Sequence, residues 1–588
     1  MFSRNGNLLI KKFNSFFLPT ILMSLSSSLS VVADGIIVGN MVGADALAAV
    51  NLGMPLIQIF AAIFVFFGLG GSVLSAWYMG QHNQKLTNSV YTFTCISMVS
   101  IGALLTFLGC FYPVEIAKTL CMGNESLLEN TINYVQPLLI GAIPIIFIPG
   151  IAYFIRTDAH AKLASILMIA CNIFNVIFDV VFIKLTNSVF GAGIATIAAN
   201  LLSFVFVILY YRSKLRTFKL RFNKSELLEV FMPTIKAGIP GGITVGLIFL
   251  KLICLNALVL QYAGREGMVA FSVCLSCLSL ASMFISGAAQ TMMPITGVLA
   301  GSGDSQGIRF VFKRTLCVLG VCIVILIAML IVFANQICAL FGLQTETDLE
   351  FGSHALQIYA PSLLGDAFVL LIVYYAQSIR KNKIAIIAST LQNFVAIVVW
   401  AYVLALYFNV EGIWYSFSFA GITSTLAIIL MTRKIEQSSL GKVSGLLMLP
   451  INDPNEPKYD VTINNSIIET VNLSKEIFLF LVSNGTDALT ANRAALAIEE
   501  MVVNTIKHGT TKNNKKSTID VCVKLTQNKI IISQRDDGRP FSPLEYVAPD
   551  IDPIENRLHG LTIVKSIAGR IEYSYVTGFN TSTIEIPR

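Results

Sequence analysis

Apolar runs of about 20 residues recur from residue 14 to residue 432 and then stop. A chain cannot bury so many such runs in one soluble core, and lipid leaves backbone polar groups no solvent partner. Each run is therefore expected to cross a membrane as a helix. Composition agrees. The chain is 55% hydrophobic and 13% charged, about half the charge of an ordinary soluble domain. Twelve spans are expected, at 14–40, 51–77, 91–113, 132–154, 163–184, 190–211, 237–262, 268–299, 315–337, 354–379, 385–406 and 412–432.

The net charge of +7 is not a nucleic-acid footprint, because the basic residues flank apolar segments. They also alternate from loop to loop. Arg4, Lys11 and Lys12 are followed on the same side by Lys85, by Arg156 and Lys162, and by the segment RSKLRTFKLRFNK at 212–224. Arg309, Lys313 and Arg314, then Arg380, Lys381 and Lys383, then Arg433 and Lys434 continue the series. The opposite loops offer little beyond Lys118 and Arg265. Both termini are thus expected in the cytosol, with the chain in the plasma membrane among its lipids. The first apolar run is too long for a cleavable leader and lacks a small-residue cleavage site. Ten of the eleven cysteines lie in the membrane part, and only Cys274 and Cys277 share a CxxC spacing, inside an apolar helix. They read as small apolar residues rather than ligands or disulfides. Trp77, Trp400 and Trp414 lie near span ends, where interface anchoring is the default.

A shift of 221 residues maps one half of the membrane part onto the other. Pro19 falls on Pro240, Gly43 on Gly264, Ala49 on Ala270, Gly80 on Gly301, Tyr153 on Tyr374, Lys162 on Lys383, Asn172 on Asn393 and Gly191 on Gly412. With six spans per unit, the halves share one orientation, giving two lobes related by an axis along the membrane normal. Under the same shift Asp34 falls on Leu255 and Asp179 on Trp400. The scaffold therefore does not need these acids.

A carboxylate at mid-span costs about 2.5–3.5 kcal/mol on insertion scales. Asp34 and Asp179 bear that cost. In CNIFNVIFDVV, Asn172, Asn175 and Asp179 share one helix face, which offers a carboxylate and two amides to one small cation. A protonation or Na⁺ site is one reading; a hydrogen-bonded brace between helices is the other. In the second half, Lys251 and Asp366 are candidates for a buried pair, and Gln290 and Gln377 for cavity lining.

After residue 440 the composition changes. INDPNEPKYD reads as a linker, and 456–588 as a soluble α/β domain. A helix near 465–483 precedes a second, ANRAALAIEEMVVNTIKHG. The strands IDVCVKL and KIIISQ, the turn DDGRPF, an irregular lid to about 558, the helix LTIVKSIAG and two strands around TGFN follow. Glu500, Asn504 and His508 repeat every four residues and stack on one helix face. Such an acid and amide can position a water and hold Mg²⁺. Gly538 in DDGRPF would let the chain approach a ligand.

The membrane part resembles the multidrug and toxic compound extrusion (MATE) family. The resemblance rests on DGIIVGNMVGADALAAVNLGMPL, GLGGSVLSAWYMGQHN, NIFNVIFDVVFI with GAGIATIAAN, GREGMVAFSV, PITGVLAGSGD and YAQSIRKNK. It covers roughly residues 10–433. It implies twelve helices around a central cavity and export of small organic, often cationic, compounds by H⁺ or Na⁺ antiport. By position, Asp34, Asn175 and Asp179 match the cation-coupling site of the family, with Thr196 a looser match. Asp366 matches an acid used in the second lobe by some members; those also carry a Glu in span seven, where this chain has Lys251. The C-terminal region resembles the GHKL ATPase fold, closest to the anti-sigma serine kinases. That resemblance implies ATP and Mg²⁺, with Glu500 catalytic, Asn504 on the metal, His508 on the same face and Asp536 reading the adenine amine. The phosphate-contacting GxGL turn reads LHGL, with Leu558 in place of the first glycine and Gly560 retained.

The expected architecture is an all-α polytopic membrane protein followed by a small α/β domain. Its parts are a first lobe at 1–211, an inter-lobe arm at 212–235, a second lobe at 236–433, a linker at 434–455 and the GHKL-like domain at 456–588. The expected function is cation-coupled export with a nucleotide-binding regulatory domain, which could instead phosphorylate a protein partner. Two alternatives are a flippase for lipid-linked precursors and a membrane-anchored sensor or serine kinase with a degenerate transporter. A flippase cavity would need cations for pyrophosphate, and only Lys251 qualifies.

Overall fold

The computed structural model describes residues 3–121, 127–158, 160–340, 346–439, 443–450, 456–509, 518–542, 544 and 560–588. The first lobe contains α1 (Asn7–Met41), α2 (Ala44–Phe64), α3 (Gly70–Gly80), α4 (Gln84–Phe111), α5 (Pro113–Cys121), α6 (Leu128–Ile140), α7 (Ala142–Thr157), α8 (Ala161–Thr186) and α9 (Phe190–Arg212). The second contains α10 (Lys224–Gly301), α11 (Ser305–Val332), α12 (Ala334–Leu340), α13 (Glu346–Tyr359), α14 (Ser362–Ser378), α15 (Asn382–Thr390) and α16 (Ala396–Ser438). Each expected span falls on these helices. Nine described helices are long and apolar enough to cross a membrane. Joining α6 to α7 (bent by 56°) and α13 to α14 (bent by 42°) raises the number to eleven. The stretch Asn382–Ser438 has 57 residues. A straight helix of that length would run to about 85 Å, far beyond one crossing. It breaks at Asn409, with φ at +50°, and so supplies two spans.

The backbone carries the repeat. Gly43 and Gly264 both turn at positive φ, and so do His82 and Gly303. Asn83 and Asp304, again 221 apart, cap α4 and α11, accepting from Leu86 N and Gly307 N respectively. The lobes touch near these caps. A Cβ on Gly80 would lie 2.1 Å from the Val298 carbonyl oxygen, and one on Gly301 2.1 Å from that of Trp77. Only glycine allows this approach. Farther along the seam, Val73 packs with Met293 of the opposite lobe.

Several expectations change. Trp414 is 1% exposed and packs against the Phe271 ring, tilted by 31°, in the second-lobe core, so it is not an interface anchor. The inter-lobe arm is shorter than 212–235: α9 runs to Arg212, and α10 starts at Lys224. Nor is 434–455 a free linker. α16 continues to Ser438, and a hairpin of β1 (Val443–Ser444) and β2 (Leu449–Pro450) packs under the second lobe. Tyr375 OH donates to the Leu447 carbonyl at 2.5 Å. Residues 440–442 and 451–455 lie outside the described residues.

The C-terminal domain runs β3 (Lys458–Asn464), α17 (Ile467–Ser483), α18 (Ala488–Asn504, extended by a π turn over Thr505–Gly509), β4 (Thr518–Leu525), β5 (Lys529–Asp536), α19 (Gly560–Ile567), β6 (Arg570–Val576) and β7 (Phe579–Pro587). Its five strands form an antiparallel sheet in the order β3-β4-β5-β7-β6. Strand alternation sorts the two faces. Val461, Ile463, Ile519, Val521, Ile532 and Ile584 pack with the helices. Asp460, Thr462, Asp520, Arg535 and Thr583 point the other way, toward the membrane lobes.

Candidate functional site

Two sites assemble from the residues singled out in the sequence. The first lies where α1 packs against α8 and α8 against α9. The carboxyls of Asp34 on α1 and Asp179 on α8 are in hydrogen-bond contact, and Asp179 is 1% exposed. Two touching carboxyls leave room for one proton or one cation between them. Asn175 lies one turn before Asp179. Oriented to satisfy its neighbours, its amide nitrogen donates to Asp34 Oδ1 at 3.2 Å and Oδ2 at 3.3 Å, and to Ser30 Oγ at 3.1 Å. The other end of the amide lies 3.3 Å from Thr196 Oγ1 on α9. Asp179 Oδ2 is buried and has no hydrogen-bond partner among the described residues. No basic residue pairs with either acid among the described residues. The carboxylate oxygens and the Thr196 hydroxyl are hard donors, which suit H⁺ or a small cation such as Na⁺, while Asn175 turns its nitrogen to Asp34. Among the described residues no cluster of three or more His, Cys, Asp or Glu forms a richer metal site.

Asn172 does not join this group. Its amide donates to Ser26 Oγ at 2.9 Å and Ser27 Oγ at 3.2 Å, and so braces α1 against α8 a turn away. Pro19 lies inside the continuous helix α1, and its carbonyl accepts from Ser165 Oγ at 2.8 Å.

The second lobe is arranged differently. Lys251 is 7% exposed and lies 5.9 Å from the Phe417 ring. It does not close an ion pair with Asp366, as the sequence had suggested. Asp366 instead accepts from Gln392 Nε2. Gln290 is not part of this group either. It sits at the seam between lobes, where its Oε1 accepts from Arg156 Nη1 at 3.2 Å and its amide donates to Tyr374 OH at 3.3 Å. Arg156 reads in the sequence as a topology charge, yet it is 3% exposed, with its guanidinium 5.0 Å from the Tyr153 ring. Only the repeat relation of Tyr153 to Tyr374 hinted at this cluster.

The second site lies in the C-terminal domain. A narrow cavity of about 20 Å³ is lined by Asn504, Asp536, Arg539, Phe541, Leu561 and Asn580, among others. Asp536 Oδ1 accepts from Gly538 N and from Asn580 Nδ2, each at 2.8 Å. Oδ2 takes no hydrogen bond among the described residues and is available to an amine donor. Burial pushes the Asp536 carboxyl up to about 6, against the pull of those two hydrogen bonds. Asn504 Nδ2 is spent on the Glu500 carbonyl at 2.7 Å, which leaves its oxygen for a metal such as Mg²⁺. Glu500 presses on Gly560: a Cβ there would fall 1.8 Å from Glu500 Oε2. Apolar walls beside one buried acid fit an adenine, though the pocket must widen to admit it. Gly538 serves differently from expectation, since its amide closes a turn onto Asp536 rather than clearing space for a ligand. Leu558 and the lid at 545–559 lie outside the described residues, as does the His508 side chain.

A duplicated six-span scaffold with paired acids in one lobe, followed by an α/β domain, defines a two-lobe membrane transporter with an appended domain. The MatE family profile matches residues 19–181 and 240–403, together more than half of the chain. The chain belongs to that family. The profile of the histidine kinase-like ATPase domain matches residues 474–584. The multidrug export protein MepA of Staphylococcus haemolyticus is 21% identical over 410 residues, which is 69% of this chain and 90% of that one. The probable multidrug resistance protein YoeA of Bacillus subtilis is 23% identical over 438 residues, 70% of this chain and 91% of the relative. Among solved structures, an outward-facing MATE-family transporter aligns with a TM-score of 0.68 at 21% identity. It covers 74% of this chain and 99% of its own. A transporter of the wider MOP superfamily from Pyrococcus furiosus gives 0.68 at 20% identity, with the same coverage.

Proposed function

We propose that the protein exports small organic compounds, cationic ones among them, in exchange for H⁺ or Na⁺. Asp34 and Asp179 carry the coupling ion, Asn175 holds Asp34, and Thr196 completes the oxygen set. The names of the MepA and YoeA relatives support multidrug export. The observation that carries the reading is the contact between two membrane-depth carboxyls with no basic partner among the described residues. An ion entering there binds one cavity state better than the other, and that differential drives the lobes between states. Asp34 sits on α1, whose hydrogen-bond ladder lacks the donor at Pro19, and α1 is the element that shifts when the ion binds. The protein lies in the plasma membrane with both termini in the cytosol, so the C-terminal domain faces the cytosolic loops. That domain binds ATP with Mg²⁺ through Asn504, with Glu500 beside Gly560 and Asp536 reading the base, and it regulates transport. The flippase alternative draws some support from Arg156, a second buried cation at the seam. The test is dye efflux in inside-out vesicles under separate pH and Na⁺ gradients. Asp34→Asn is expected to lose ion-driven efflux; full efflux in that variant ends the assignment.

A further inference from the structure

We propose that the C-terminal domain is a staple across the two lobes: docked by the polar face of its sheet, it holds the seam at Gly80 and Gly301 closed, and each transport cycle requires it to release one lobe. This rests on the antiport reading and names how that same transporter is regulated.

The domain grips both lobes. Thr583 Oγ1 on β7 lies 3.3 Å from His82 Nε2, in the loop after α3 of the first lobe. Arg535 on β5 reaches the second lobe, with Nη1 2.8 Å from Asp304 Oδ2 and Nη2 3.4 Å from Ser302 Oγ. The chain's own N-terminus adds a third strand to the grip. Arg4 donates to Asp304 Oδ2 at 2.6 Å, to Asp460 at 3.0 Å and to Asp520 at 3.4 Å. Lys11, on the first turns of α1, lies 2.5 Å from Asp537, the neighbour of Asp536.

These are not casual surface pairs. The Arg4 side chain is 3% exposed and that of Asp304 10%. Buried charges are tolerated only when paired and hydrogen-bonded, and removing one partner is costly. The repeat isolates what Asp304 adds. Its counterpart Asn83 caps α4 as Asp304 caps α11, so the cap needs no charge. The charge at Asp304 is directed at Arg4 and Arg535.

Geometry supplies the consequence. His82 follows Gly80 by two residues, and Asp304 follows Gly301 by three. If the lobes part at the touching glycines, these two loops separate with them, and one sheet cannot follow both. The interface is also built to open. A cavity of about 320 Å³ lies within it, lined by Arg4, His82, Asp304, Asp520 and Arg535 among others. Polar, loosely packed contacts are typical of reversible docking rather than of a permanent core.

The test uses the full-length chain in inside-out vesicles carrying Val73→Cys, a near-isosteric change at the seam. Modification of residue 73 by a membrane-impermeant maleimide is followed by mass spectrometry. Asp304→Asn keeps the cap and Arg535→Gln removes the charge while leaving a polar side chain; each is expected to raise the labelling rate about tenfold. Unchanged rates in both overturn the proposal. A second measurement ties the domain to both lobes with reductant-cleavable bis-methanethiosulfonate linkers at His82→Cys with Thr583→Cys and Ser302→Cys with Arg535→Cys. Export is expected to stop and to return on cleavage. Export that continues while tied overturns the staple and leaves antiport standing. A protein that exports nothing even after cleavage defeats the antiport reading, and the staple with it.

Discussion

The two lobes share a backbone and differ in what they bury. Where the first has Asp34 and Asp179, the second has Leu255 and Trp400 at the repeat-related positions. Leu255 is fully buried, and Trp400 is satisfied by donating to Thr423 Oγ1 at 2.8 Å. Turns, caps and helix starts coincide, so the fold is indifferent to the acids. The second lobe has its own carboxyl at Asp366, but Gln392 binds it and Lys251 stands nearby. One lobe thus holds a pair of touching carboxyls, while the other holds a single carboxyl engaged by Gln392.

The largest break in this comparison comes from neutralising the first lobe. Asp34→Asn or Asp179→Asn is expected to lower ion-driven export about 5- to 150-fold, the range of one coupling free energy. Asp366→Asn, which can still accept from Gln392, is expected to leave coupling in place; parallel efflux rates in the three variants decide this. At the seam, Gly80→Ala places a methyl against the Val298 carbonyl. It is expected to prevent that end from closing, seen as faster labelling of Val73→Cys. Gly303→Ala meets no atom of the described residues within 4 Å. It is expected to cost only the left-handed strain of about 1–2 kcal/mol, read in thermal unfolding.

Removing the donor to the engaged acid sharpens the contrast from the other side. Gln392→Ala leaves a buried carboxyl short of one hydrogen bond and is expected to cost about 1–3 kcal/mol of stability with the coupling ion unchanged. Competition between a proton and a ligand can be watched outside the membrane at Asp536. The folded domain holds this proton more tightly than the unfolded chain does. The group therefore favours the fold fully below the ordinary carboxylate value, and that contribution is lost as pH rises through about 6. An adenine amine prefers the ionised form, so nucleotide affinity is expected to fall about tenfold from pH 7 to pH 5. Titration with a fluorescent ATP analogue measures it; a flat profile removes Asp536 from base recognition. The smallest effect is expected from Trp400→Phe, which loses one hydrogen bond worth about 1 kcal/mol and leaves export unchanged.

The spans were legible because lipid imposes one simple rule on every stretch that crosses it. The repeat was legible because glycines and caps are fixed by backbone geometry. Asn175 and Asp179 could be placed together by helical spacing, and Asp34 by its cost. What could not be read depends on contacts between distant segments. Arg4, Asp304 and Arg535 are separated by hundreds of residues, and each alone looks like a loop or strand charge. Arg156 looks like a topology signal because its burial comes from the opposite lobe. Lys251 and Asp366 share a lobe, but only packing decides that Gln392 reaches the acid first. β3 was hidden in KYDVTIN because half of its residues face the polar interface and mimic a linker.

The most direct measurement of the central claim is ion movement driven by substrate. In proteoliposomes loaded with a transported dye, H⁺ or ²²Na⁺ uptake is followed as the dye leaves. The parent protein is expected to take up one of these ions in step with dye exit, and the Asp34→Asn, Asp179→Asn double variant to take up neither. Ion uptake that persists undiminished in the double variant contradicts the account.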